Sequence, residues 1–151
     1  MPEFNFSFTV DAPLSQVSRF HGDTSALKKL TPPPMIVQIH RVDPLAEESR
    51  AEFTLWFGLL PIRWAAVHRR VSEEGFTDIQ ERGPMQRWEH THRFIALSED
   101  TTQVNEHIEY AHYGGWRGLF SRLLFMRPGL YMLFTARKML TRWHLRRGGA
   151  D

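Results

Sequence analysis

Residues 87–94 read RWEHTHRF, a run in which Trp88, His90, His92 and Phe94 share one parity and Arg87, Glu89, Thr91 and Arg93 share the other. Successive side chains of an extended chain point to opposite sides, so this alternation marks a β-strand with one buried face. Arginine is easier to leave in water than tryptophan or histidine, which assigns the Trp88 row to the inside. That row carries two imidazoles. A buried polar group without a partner costs roughly 1–3 kcal/mol, so the face they join must offer carboxylates, water or a ligand headgroup.

Strand signals extend outward from this run in both directions. Alternating or apolar stretches occupy 35–42, 49–57, 62–72, 75–82, 86–97 and 101–111, separated by DPLAEE, GLLP, EEG, GP and SED. Short connections of this kind imply antiparallel hairpins. Before them, 3–10 alternates Phe4, Phe6, Phe8 and Val10 against Asn5, Ser7 and Thr9, another half-buried strand. In DAPLSQVSRFHGD, Asp11 offers a helix cap, Leu14, Val17 and Phe20 recur at helical spacing, and Gly22 stops the turn. A second brief helix, TSALKKL, ends at TPPP, because three prolines cannot continue it.

After Tyr113-Gly114-Gly115 the period changes to that of helices. WRGLFSRLLFM is a short one, and Leu130–Leu145 is the longest. The stripe Met132, Leu133, Ala136, Met139, Leu140 and Trp143 predicts the buried face, with Arg137, Lys138 and Arg142 in solvent. Seven strands with helices supplied only from the chain ends can be covered on one face, which predicts an α+β arrangement: a seven-stranded antiparallel sheet curved around the long C-terminal helix. One domain over 1–147 with a short tail at 148–151 is expected.

Composition sets the outer bounds. The chain has 151 residues, 42% hydrophobic and 24% charged, the profile of one globular domain. With no cysteine, disulfides, thiolate nucleophiles and Cys-ligated zinc are excluded, and a reducing compartment fits. MPEFNFSFTV has an acid at its third position and alternates, unlike a secretory signal, so a cytoplasmic location is expected and Asn5-Phe6-Ser7 is an idle glycosylation match. Residues 113–151 hold eight Lys/Arg against one acid, whereas 1–112 hold eleven against sixteen. This basic end is amphipathic and carries no recognised nucleic-acid reading motif, so a nucleic-acid partner is not expected.

Several motifs together resemble one superfamily: VDAP at 10–13, LTPP at 30–33, LPIRWAA at 60–66 and above all FTDIQERGPMQRWEHTHRF at 76–94. With the element order, they resemble the START-like, polyketide cyclase-like ligand-binding superfamily (SRPBCC), in a bacterial subgroup sometimes labelled cell division inhibitor. Similar domains occur fused to epimerase-like domains. Met85 and Glu106 stand where the pattern usually has Phe and Asp. The resemblance implies a helix-grip fold and a cavity between sheet and long helix that holds a small hydrophobic or amphipathic molecule.

Parity and resemblance together define the candidate ligand-binding residues. Trp64, Trp88, Phe94, Ile108 and Tyr110 would give contact area, and His68, Asp78, Gln80, His90, His92 and Glu106 would orient the ligand. Met132, Ala136 and Met139 would face them from the helix. The alternative is a cyclase or dehydratase using a histidine and Glu106 as acid and base in the same cavity. Two histidines alone are a weak metal signal, and no metal or cofactor is expected. WRGLFSRLLFMRPGLYMLF, residues 116–134, has an interfacial composition that admits peripheral membrane contact, though its apolar residues would more simply cover the cavity mouth. Exposed sheet edges admit a homodimer.

Overall fold

The computed structural model describes residues 2–148, with the side chains of 147 and 148 excepted. Residues 149–151 of the expected tail therefore lie outside the described residues, while Gly148 closes the last helix.

Seven strands and four helices follow one another as β1 (Glu3–Val10), α1 (Leu14–Gly22), α2 (Ala26–Lys29), β2 (Ile36–Val42), β3 (Arg50–Phe57), β4 (Leu60–Ser72), β5 (Gly75–Arg82), β6 (Arg87–Ala96), β7 (Thr102–Ala111), α3 (Gly115–Leu124) and α4 (Arg127–Gly148). The strands form one antiparallel sheet in the order β1-β7-β6-β5-β4-β3-β2. Consecutive strands pair through hairpins, and the first strand returns to the far edge beside the last. The architecture is α+β of the helix-grip kind, with the sheet curved around α4.

The sheet's two faces separate as the parity argument requires. Phe4, Trp64, Ala66, Trp88, Ile108 and Tyr110 join Phe125, Leu130 and Phe134 in one buried cluster, and Phe8, Val10, Phe76, Phe94 and Val104 join Val17 and Leu145 in a second. On the opposite face the long polar side chains cross strands: Arg50 with Glu81, Arg70 and Arg87 with Glu89, and Arg87 with Glu109. Such exposed pairs contribute little stability but keep that face wet.

Helix α1 differs at its start. Pro13 occupies the cap position, its carbonyl accepts the N–H groups of Gln16 and Val17, and Asp11 makes no cap bond. The phase of α4 is also corrected. Leu130, Phe134, Thr141 and Leu145 are the buried residues, whereas Met132, Met139 (65% exposed) and Trp143 (50% exposed) face solvent. Arg137, expected in water, turns inward, and its Nε donates to the carbonyl of Leu30 at 3.2 Å. Two stripes of helical spacing compete on this helix. The one that wins places aromatic Phe134 against Phe4 and Phe6, with ring centroids at 5.4 and 6.0 Å. Thr141 can be buried on that face because its hydroxyl donates to the carbonyl of Arg137 at 2.8 Å.

Candidate functional site

Between the inner face of the sheet and the helices lies a pocket of about 520 Å³. Leu27, Leu30, Phe53, Leu55, Trp64, Trp88, Phe125, Leu133 and Phe134 supply apolar wall, and His21, His68, Asp78, His90, His92 and Arg137 gather as the polar part of the lining.

Strand register creates the polar part. Asp78 on β5 pairs with His68 on β4 and His90 on β6, and His92 on β6 pairs with Glu106 on β7. Directly opposite and diagonal side chains on one sheet face are within reach, so four neighbouring strands present their polar residues to one another. His68 Nε2 and His92 Nε2 approach the two oxygens of Asp78 at 2.8 and 2.9 Å. His90 Nε2 donates to Glu106 Oε2 at 2.6 Å, and His92 Nδ1 lies 2.9 Å from that same oxygen but off the hydrogen-bond line. Ser49 Oγ stands 2.8 Å from His68 Nδ1 and extends the chain by one group.

Electrostatics sorts these groups into distinct states. Burial alone would lower the His92 pKa, but the charge of Glu106 and the hydrogen bond that His92 donates to Asp78 outweigh it and raise the value from 6.5 to about 9. Burial also opposes ionisation of Glu106, yet His92 and His90 hold its carboxyl well below the ordinary range. For Asp78, hydrogen bonds from His68 and His92 overcome burial in the same way and hold its pKa down. His90 goes the other way: burial and then repulsion from His92 lower it. His21 is lowered to about 4, chiefly by burial. The result is an imidazolium, His92, between two carboxylates, with neutral His90 against it at 3.9 Å between ring centroids. Arg137 brings a second positive charge. Burial lowers its pKa against the pull of Glu106 and Asp78, and its guanidinium lies 5.5 Å from the Phe134 ring centre.

One ligand atom each from Asp78, His90 and His92 lies within 4.8 Å of the others, loosely enough for a metal to be drawn in. A metal would have to displace a proton from His92 and compete with Glu106 for His90, which the hydrogen bonds above oppose.

Of the residues expected at the site, Trp64, His68, Asp78, Trp88, His90, His92 and Ala136 line the pocket, and Met132, on the solvent side of α4, borders only its mouth. Six do not. Glu106 is buried behind the imidazoles, while Ile108 and Tyr110 belong to the cluster beneath and Phe94 to the second cluster. Gln80 folds back to the β5–β6 turn, donating to the Met85 carbonyl at 2.7 Å and accepting from its N–H at 3.3 Å. Met139 is on the solvent side of α4. Two functional candidates escape a reading by strand parity: His21, brought in by α1, and Arg137, brought in by α4. His21 packs against Phe94 with ring centroids 4.8 Å apart and the planes tilted by 41°, and the apolar spacing of α1 at Leu14, Val17 and Phe20, with His21 beside it, was the available signal.

Comparison with known proteins supports this architecture. No protein-family model matches the sequence, and no curated protein is similar enough to be matched. Among solved structures, the Zhui aromatase/cyclase from Streptomyces sp. R1128 superposes with TM-score 0.76 at 14% identity, over 97% of this chain and 94% of that one. A START superfamily protein from Mycobacterium smegmatis gives TM-score 0.71 at 11% identity over 96% and 97%. The nucleoside-diphosphate sugar epimerase of Corynebacterium glutamicum matches at TM-score 0.70 and 19% identity, over 95% of this chain and only 29% of its own. The fold is therefore the one these structures share, the helix-grip fold. Likeness at these identities establishes architecture and leaves chemistry to the pocket. No helix of the described residues is long and apolar enough to cross a membrane.

Proposed function

We propose that the protein binds a small hydrophobic or amphipathic molecule in the pocket between sheet and α4. The observation that carries this reading is the lining itself: aromatic and aliphatic walls beside a group of buried, mutually bonded ionisable side chains. A solid core avoids that mixture, whereas a ligand site needs apolar area for affinity and a few fixed polar groups for orientation. Trp64, Trp88, Phe53 and Phe125 would hold the apolar body, and His21, His68, His90, His92, Asp78 and Arg137 would face the polar end. Glu106 would act through the imidazoles it holds.

A second reading is favoured by the opposed titration of His90 and His92. Adjacent groups whose environments push their pKa values apart can serve as base and acid, here for a cyclisation or dehydration. Native mass spectrometry of protein from its own host, followed by incubation and release, distinguishes the two. A retained molecule released unchanged, with affinity falling about 5- to 150-fold in His90→Gln, supports binding. A product of altered mass, lost in His90→Gln, supports catalysis. A protein that retains nothing and does not take up an apolar fluorophore in competition with small amphiphiles would overturn both.

A further inference from the structure

Helix α3 is amphipathic in the inverse of the usual sense. Its inward face is small: Gly118 and Ser121 are buried, and Ser121 Oγ lies 2.8 Å from His112 Nδ1. A Cβ at Gly118 would collide with the Tyr113 carbonyl oxygen, so the helix sits too close to the preceding chain for bulk on that side. The bulk faces out instead. Trp116 is 84% and Leu123 63% exposed, and Leu119, Phe120 and Met126 are exposed with them. The register of the sheet places the start of β2 and the β3–β4 turn at this same end, where Ile36 and Leu59 are also exposed. Scattered exposed apolar residues are ordinary; a concentration at one end of a molecule marks an interaction surface.

Charge identifies the partner. Arg117, Arg122 and Arg127 are exposed on the same segment, and no acid occurs between Glu109 and Asp151. We propose that this end of the molecule docks on an anionic lipid bilayer, with α3 in the headgroup plane, its apolar side chains among the upper acyl segments and its arginines on phosphates. A second copy is the weaker fit, because a two-fold contact through this face would set the arginines of each copy against those of the other. Leu124, Phe125 and Leu133, in and just after this segment, also line the pocket, so a docked molecule would present a pocket wall to the bilayer. Docking itself stands independently of what the pocket holds.

Vesicle flotation of the full chain tests this, with phosphatidylcholine alone and with a phosphatidylcholine–phosphatidylglycerol mixture. The expected result is flotation with the anionic vesicles only, reversed by added salt. Replacing Arg117 and Arg122 by Gln should weaken binding roughly fivefold per arginine. Leu123→Glu and, separately, Trp116→Ala should abolish flotation without changing the thermal melt, since both positions are in solvent. Failure to float with anionic vesicles, or flotation undiminished in both apolar variants, would overturn the proposal. A dimer by light scattering that Leu123→Glu dissociates, with no vesicle binding, would reassign the face to a second copy.

Discussion

Raising the pH should destabilise this protein through one imidazole. His92 has a folded pKa of about 9 against 6.5 for an ordinary histidine, so the folded state holds its proton more tightly than the unfolded chain does. The stabilisation is fully present below pH 6.5 and is lost as the pH rises through about 9. At about 1.4 kcal/mol per pH unit, the difference amounts to about 3 kcal/mol, a large share of the stability of a typical domain. Urea unfolding followed by tryptophan emission at pH 6.5, 8 and about 10 measures it directly. Glu106→Gln removes the strongest influence raising the His92 value and leaves only Asp78, so in that variant the loss between pH 6.5 and 10 should shrink by half or more. A wild-type stability that is flat across this range, or an unchanged slope in Glu106→Gln, would refute the assignment of an imidazolium between two carboxylates.

On the acid side, neutral His21 is disfavoured as the unfolded chain takes up protons, so stability should fall as the pH drops from 6.5 through about 4, and His21→Gln should flatten that limb. Phe134→Ala empties the fully buried centre of α4 and should cost about 3–5 kcal/mol by urea titration, whereas solvent-facing Met139→Gln should stay within about 0.5 kcal/mol. Gly75 has a φ of +145° and a Cβ there would strike the His92 carbonyl oxygen, so Gly75→Ala should cost more than about 1 kcal/mol. Gly114→Ala, in open space at a φ of −74°, should be nearly neutral to thermal melting.

The strands were legible because their period of two leaves only two phases, and the aromatic rows of Phe4, Trp64 and Trp88 choose between them. The same parity brought His68, Asp78, His90 and His92 to one wall without any knowledge of the fold. Helix α4 was harder to phase. Met132, Met139 and Trp143 form an apolar stripe as regular as Leu130, Phe134 and Leu145, and only packing against Phe4 and Phe6 decides which is buried. Arg137 followed the helix inward. Parity also could not distinguish a residue that lines a pocket from one behind its wall, which is why Glu106, Ile108 and Tyr110 share the predicted face yet do not reach the space. Gln80 was lost to a turn whose need for hydrogen-bond partners appears only once β5 and β6 are joined.

The chain of contacts from Ser49 through His68, Asp78, His92 and Glu106 to His90 also acts as a checksum on strand pairing. It runs from the residue before β3 across β4, β5, β6 and β7, and each link depends on a register correct to the residue. A slip of one position anywhere would send an ionised group to the opposite face and leave its neighbour buried and unpaired. Misaligned sheets are thus penalised several times over, while the aligned one brings all these groups into contact together. The amides of β4 to β7 should accordingly exchange with solvent as a single cooperative block, slower than the edge strand β2, which the chain does not reach.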